Sequence, residues 1–292
     1  MPSSHGGGDP VEVVTQNLRR LLPRATERAR RVVLLTGAGV SAESGVCTFR
    51  GDDGQWRVGS RSYHPVELAT WMAFQRMPVD IWGWYLYRRA SYHGAAPNEA
   101  HRAIAALEQR LGDRCLLVTE NVDGLHLRAG NSAGRTYQIH GNVDFARCAS
   151  ECCLDIRRLP DDFAREWKWG QRPGEAELQV LTCPRCGGWL RPHVLWFDES
   201  YDEERFRFDS SLRAASEAAV LVVAGATTAP ALPTKMCASA AARGVLLVVI
   251  DAEGTALNQM ASASSKGISL RGRASGLLPD VCETLAAELG AG

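Results

Sequence analysis

The 292-residue chain is predicted to be an α/β protein: a Rossmann-type parallel sheet with helices on both faces, plus a smaller zinc-binding and helical domain. Three features predict it. The first is an apolar strand that runs into a glycine turn, VVLLTGAGVSAESGVCTFRG from Val32 to Gly51. Strand-turn-helix entries of this kind bring backbone N–H groups up to a pyrophosphate, an approach that glycine permits. The second is the alternation of apolar strands with helical stretches along the chain, which implies a sheet whose ligands bind beyond the carboxyl edge of its strands. The third is Cys183-Pro-Arg-Cys186, preceded about thirty residues earlier by Cys148, Cys152 and Cys153.

The elements follow in order. Residues 1–10, MPSSHGGGDP, read as a disordered Gly/Ser leader that lacks the charged and apolar regions of a signal peptide. Residues 11–30 carry apolar positions at helical spacing and arginines on the other face, an amphipathic surface helix. After the glycine strand come a Gly/Arg loop over 51–62, an aromatic helical stretch over 65–92, and a helix over 98–111 that Gly112 ends. Strands are expected at 115–119, 135–139, 194–197, 219–224 and 245–250, several of them delivering polar residues at their carboxyl ends. The Rossmann-type domain is assigned to 11–55, 115–147 and 192–292, the helical part of the smaller domain to 56–114, and the zinc-binding module to 148–191.

Composition narrows the function classes. With 33 basic and 33 acidic residues the formal charge is zero, so electrostatic capture of nucleic acid or of a membrane surface is not expected. No apolar run approaches the ~20 residues of a membrane span, and the chain reads as cytoplasmic. Nine cysteines in such a chain suit metal binding or scattered core thiols better than disulfides. Cys183-x-x-Cys186 followed by two glycines is a zinc-knuckle turn, and a second pair completes a tetrahedral set. Cys148 with Cys152 is the expected pair, with Cys153 as the alternative, because Glu151 stands where a second CxxC would place its cysteine. Cys47, Cys115, Cys237 and Cys282 read as small buried hydrophobes.

Read with TENVDGLH (119–126), IHG (139–141) and CPRCGGWLRPHVLWFDE (183–199), the glycine string resembles the sirtuin family over about 32–251. That resemblance implies an NAD-consuming lysine deacylase with one structural Zn²⁺. It places NAD on Gly37, Ala38, Gly39, Ser41, Ala42, Glu43, Phe49 and Arg50. It also places NAD on Glu120, Asn121, Asp123 and His140, and at the adenosine end on Gly225, Ala226, Thr227 and Asp251. His140 and Asn121 are the implied catalytic pair: Asn121 bonds the ribose or a structural water, and Asp123 accepts from the nicotinamide carboxamide. In the implied mechanism the acyl oxygen attacks C1′ of the nicotinamide ribose and expels nicotinamide. His140 then helps the ribose 2′-hydroxyl attack the resulting imidate, giving free amine and O-acyl-ADP-ribose. Physically, a histidine emerging at the rim of a sheet is a base of suitable pKa for a ribose hydroxyl.

Within the family the resemblance is closest to the desuccinylase/demalonylase type. Tyr85 and Arg88, at i,i+3 on a helix, can clamp a carboxylate together, and Ala69 sixteen residues before Tyr85 is the matching small pocket residue. Val194, Trp196 and Phe197 complete the implied substrate wall for an acyl-lysine protein or peptide. Several positions depart from the common family pattern. Thr48 replaces an aspartate and Cys47 a proline in the cofactor loop, Glu120 replaces a glutamine, Asp198 a glycine, and Asp251 an asparagine. Glu120 removes a ribose donor and sets a second carboxylate near Asp123, while Asp198 is expected to crowd or repel an acidic peptide. These two changes motivate an alternative function, an ADP-ribosyltransferase or NAD hydrolase acting on a small-molecule acceptor.

Overall fold

The computed structural model describes residues 10–21, 31–46, 56–58, 61–228 and 231–290. The leader over 1–9, residues 22–30 of the expected first helix, and Cys47, Thr48, Phe49 and Arg50 lie outside the described residues.

Eleven strands occur among them: β1 (Val32–Thr36), β2 (Trp56–Val58), β3 (Arg61–Tyr63), β4 (Cys115–Thr119), β5 (Thr136–Gln138), β6 (Gly141–Cys148), β7 (Ile156–Arg158), β8 (Leu190–Val194), β9 (Val220–Ala224), β10 (Leu246–Asp251) and β11 (Gly267–Arg271). Six form a parallel sheet in the order β11-β10-β9-β1-β4-β5. Renumbered along the chain and read from the β5 edge, that is 3-2-1-4-5-6, the doubly wound order whose ligand crevice lies where the winding reverses, here between β1 and β9.

The strand sequences are almost wholly apolar because both faces are covered. Val32 and Leu34 of β1, Leu117 of β4, Val220 and Val222 of β9 and Val248 of β10 face one core, closed by the helices Glu99–Leu111 and Ala274–Gly290. Val33, Leu35, Leu116, Val118, Leu221, Val223 and Val249 face the other, packed on Phe208–Glu217, Ala231–Ala242 and Ala256–Ala263. The helix over 99–111 is therefore misassigned by the sequence reading to the smaller domain. Ala100, Ile104, Leu107 and Leu111 are buried against the parallel sheet.

The smaller unit holds a third core, around Trp82, Trp84, Tyr85, Leu86, Trp167 and Trp196. The aromatic stretch is three helices, Pro65–Leu68, Trp71–Arg76 and Pro78–Gly94. Thr70 caps the second by accepting from the Ala73 N–H, and prolines start the first and third. The strand expected over 194–197 in the parallel sheet is instead β8, and it pairs antiparallel with β6 in a separate three-stranded sheet β7-β6-β8. Arg191, Pro192 and His193 make LRPHV a poor match to the apolar strands of the large sheet. The Gly/Arg loop likewise contains the antiparallel pair β2 and β3.

Candidate active site

The carboxyl ends of β1 and β9 cross at the switch point so closely that only glycine fits. A Cβ on Gly37 would lie 2.6 Å from the Ala226 Cα and from the Gly225 carbonyl, and one on Gly39 would lie 2.8 Å from the Gly225 Cα. The two turns are bonded to each other, Gly37 N–H to the Ala224 carbonyl (3.1 Å) and Gly39 N–H to the Gly225 carbonyl (2.9 Å). Above them opens a cavity of about 840 Å³. Its lining unites most of the residues expected from sequence: Ala38, Gly39, Ser41, Ala42 and Glu43 from the glycine turn, Glu120, Asn121 and Asp123 from beyond β4, and His140 from beyond β5. Gly225, Thr227 and Asp251 line the opposite end, and Ala69, Tyr85, Val194, Trp196 and Phe197 line the side toward the small unit. Gly37 and Ala226 form the crossing beneath, and Arg88 bonds to the lining residue Tyr92.

Asn121 is fixed rather than free. Its amide donates to the Gly37 carbonyl and to Ser41 Oγ, both at 3.0 Å, and its backbone N–H donates to Thr119 Oγ1 at 3.1 Å. Behind it lies a buried polar network. Thr36 Oγ1 donates to Thr119 Oγ1 (2.9 Å) and lies 2.9 Å from His126 Nε2, while His101 Nε2 is 3.4 Å from Ser41 Oγ. Burial pushes His101 down to about 4 and His126 well below the usual histidine range, so both rings are neutral at pH 7. Asp123 accepts from the Leu125 N–H at 2.8 Å, and burial holds its pKa above the usual value.

His140 leaves β5 into Gly141, whose φ of +81° and closeness to β8 exclude a side chain: a Cβ would meet the His193 carbonyl at 1.9 Å. This explains why glycine follows the histidine in IHG. His140 Nδ1 lies 2.9 Å from the Glu120 carbonyl, which can only accept, so Nδ1 carries the proton and Nε2 presents its lone pair. Burial depresses the ring to about 4, which keeps that lone pair available at neutral pH. Tyr201 Oη, 2.6 Å away, donates to Nε2.

Glu120 has a different character from the one expected. Burial lifts its carboxyl to about 8, and Oε1 is closed off from solvent with no hydrogen-bond partner among the described residues. It is neutral at pH 7, so it retains an O–H donor and adds no charge beside Asp123. Asp198 is exposed, and its carboxylate is engaged at a helix start. Its two oxygens accept from the Trp71 N–H (2.7 Å) and the Met72 N–H (3.2 Å), capping the helix Trp71–Arg76, while the Phe197 N–H donates to the Ala69 carbonyl (2.9 Å).

On the small-unit side, Tyr85 Oη accepts from Trp196 Nε1 at 2.8 Å, which leaves its own proton for a further acceptor. Arg88 Nε donates to Tyr92 Oη at 2.8 Å, and its charge opposes the burial that raises Tyr85 to about 12. Arg191 stacks on Trp196 at 3.5 Å and, with the Trp196 N–H, is held by Glu199.

Four sulfurs, those of Cys148, Cys152, Cys183 and Cys186, lie within 4.8 Å of one another. Cys148 and Cys186 are 3.7 Å apart, as are Cys152 and Cys183. Tetrahedral zinc with Zn–S near 2.3 Å requires S···S of about 3.8 Å, so the set fits the ion. N–H groups of Cys186 and Arg185 pull the Cys183 thiol down to about 6. Cys152, not Cys153, completes the cluster. Glu151 at φ +52° takes up the extra residue of the CxxxC spacing and pairs with Arg147 at 3.0 Å.

Sequence reasoning missed Tyr92 and Tyr201, both of which line the cavity. Tyr92 lies at i+4 from Arg88 and i+7 from Tyr85, a helical spacing that marks it as a third member of the same face. Tyr201 carries no such signal.

The sheet order, the glycine crossing and the buried base define a doubly wound nucleotide-binding enzyme with a cysteine-bearing accessory unit. The Sir2 family model matches residues 37–230, and the chain belongs to that family. It is 32% identical over 269 residues to an NAD-dependent protein deacylase of Leptospira interrogans, covering 90% of this chain and 96% of the relative. A second NAD-dependent protein deacylase, from Thermus thermophilus, is 36% identical over 251 residues, 85% and 89% of the two chains. Among solved structures, a Sir2 homologue in complex with NAD matches with a TM-score of 0.71 at 31% identity over 98% of both chains. A mutant Sir2 homologue with 2′-O-acetyl ADP ribose matches at 0.70 and 33%, over 92% of this chain and 97% of the other. The chain is an NAD-dependent enzyme of the sirtuin deacylase type. No helix among the described residues is long and apolar enough to cross a membrane.

Proposed function

We propose that this chain removes acyl groups from lysine with consumption of NAD, yielding nicotinamide and O-acyl-ADP-ribose, and that it prefers succinyl and malonyl groups to acetyl. One observation carries the reading: a single cavity joins the glycine crossing, His140 and the acyl-side residues Ala69, Tyr85 and Tyr92. In this reading Gly225, Thr227 and Asp251 hold the adenosine end, the turn Ala38–Glu43 takes the pyrophosphate, and Asp123 orients the nicotinamide carboxamide. Asn121, anchored on Gly37 and Ser41, keeps the ribose in register with His140. His140 accepts the proton of a ribose hydroxyl as that hydroxyl attacks. Because the neutral carboxyl of Glu120 donates as a glutamine amide would, and Asp198 is a helix cap, neither any longer favours transfer to a small-molecule acceptor.

Acidic acyl selectivity rests on the Tyr85 hydroxyl and on Arg88. A zinc ion held by the four thiolates would have no open coordination position, so it would tie the end of β6 to the 183–186 knuckle and serve structure. Mass spectrometry of products from NAD with acetyl-, succinyl- and malonyl-lysine versions of one peptide tests the reading. O-succinyl- or O-malonyl-ADP-ribose formed with the higher kcat/KM supports it; an acetyl preference removes the subtype, and release of ADP-ribose alone removes deacylation.

A further inference from the structure

Tyr201 lines the cavity beside the base, His140. Its ring stacks on His140 (centroids 5.7 Å apart, 29° between planes) and on Phe208 (4.9 Å, 27°), with the Lys235 ammonium over the outer face of Phe208 at 5.3 Å. Stacking on His140 and Phe208 restrains the phenol, and its Oη lies on His140 Nε2. With Nδ1 committed to the Glu120 carbonyl, Nε2 has one lone pair, and the Tyr201 hydroxyl already occupies it at 2.6 Å. The Tyr201 side chain lines the cavity, and its phenol oxygen keeps acceptor capacity of its own while donating, so a substrate hydroxyl can bond to it.

We propose that Tyr201 is a catalytic proton relay, passing the proton of the attacking ribose hydroxyl to His140. The inference rests on the assignment of His140 as base. In the step, the ribose O–H bond breaks and its proton bonds to Tyr201 Oη. The proton that Tyr201 gives up bonds to His140 Nε2, the electron pair left on the ribose oxygen forms the new bond to the acyl carbon, and the C=N π bond of the imidate breaks with its electron pair going to nitrogen. Tyr201 ends neutral, His140 ends as imidazolium, and that proton is later returned to the departing amine. Burial raises the phenol pKa, so Tyr201 enters the step protonated and is never required to persist as phenolate.

The test compares wild type, Tyr201→Phe and His140→Ala in single-turnover reactions with NAD and one acyl-lysine peptide. It follows nicotinamide exchange, which precedes the proton transfer, and O-acyl-ADP-ribose formation, which requires it. Phenylalanine keeps the ring between His140 and Phe208 and removes only the hydroxyl. The relay predicts a loss of at least about tenfold in O-acyl-ADP-ribose formation in Tyr201→Phe, a fraction of the 10²–10⁴ that a full general base supplies, with exchange near wild type. It also predicts that, in mixtures of light and heavy water, the wild-type rate of this step curves with isotope fraction, as two protons in flight demand. Product formation in Tyr201→Phe equal to or faster than wild type, or a linear isotope dependence in wild type, overturns the relay and leaves Tyr201 a cover on Nε2. Full activity in His140→Ala instead removes the base assignment itself, so the two failures are distinct.

Discussion

Replacing Glu120 with glutamine tests the character of the site through folding stability as well as catalysis. Burial beside the glycine crossing pushes the folded carboxyl up to about 8, whereas the unfolded side chain titrates near 4.5. A group whose folded pKa is raised contributes fully below its unfolded pKa and loses that contribution as pH rises through the folded value. Wild type therefore loses stability between pH 4.5 and 8, and glutamine, of nearly the same shape, has no such dependence. At about 1.4 kcal/mol per pKa unit, the advantage of Glu120→Gln is about 3 kcal/mol at pH 7 and about 5 kcal/mol above pH 8. Both are upper values, because the cavity admits water on one side. Urea unfolding of both proteins without NAD, at pH 5, 7 and 8.5, measures the gap. A gap that is the same at pH 5 and 8.5 would refute the buried, unpartnered carboxyl. The same reasoning predicts that the NAD KM of wild type rises above pH 8, as the O–H donor is lost, while that of Glu120→Gln stays flat.

Four further outcomes are expected. His140→Ala should lose roughly 10²–10⁴ in deacylation rate with NAD affinity close to wild type, measured by calorimetry; normal turnover would exclude it as base. Cys152→Ser should lose bound zinc and unfold the small unit on mild heating, while Cys153→Ser keeps one zinc per chain by metal analysis. Arg88→Met should lose at least about tenfold in kcat/KM for succinyl-lysine while sparing acetyl-lysine, since charge-assisted hydrogen bonds are worth about 1.5–3 kcal/mol. Asp198→Gly, restoring the usual family residue, should cost about 1 kcal/mol of stability, as loss of a helix cap does, without improving the KM for an acidic acyl peptide. A marked improvement would show that Asp198 faces the substrate.

The chemistry-bearing turns were legible in the sequence because each is local. A glycine turn after an apolar strand, an asparagine and an aspartate after a second, and a histidine before glycine after a third all fall at one sheet edge once the strands are parallel. The CxxC knuckle is equally local, and so is the Tyr85–Arg88 spacing, which helical periodicity puts on one face. Other features depend on what packs across the chain. The helix over 99–111 is amphipathic in either unit, and only the apolar surface of the parallel sheet drew Ala100, Ile104 and Leu107 onto it. The β8 strand went to the small sheet because β6 offered an antiparallel partner. The choice of Cys152 over Cys153 came from a left-handed Glu151, a conformation composition does not announce. The protonation of Glu120, the capping role of Asp198 and the contact of Tyr201 with His140 are likewise tertiary. A carboxyl's pKa, a carboxylate's partner and a lone pair's occupant are set by groups tens of residues away, brought within hydrogen-bond distance only when the sheet, the helices and the small unit close around the cavity.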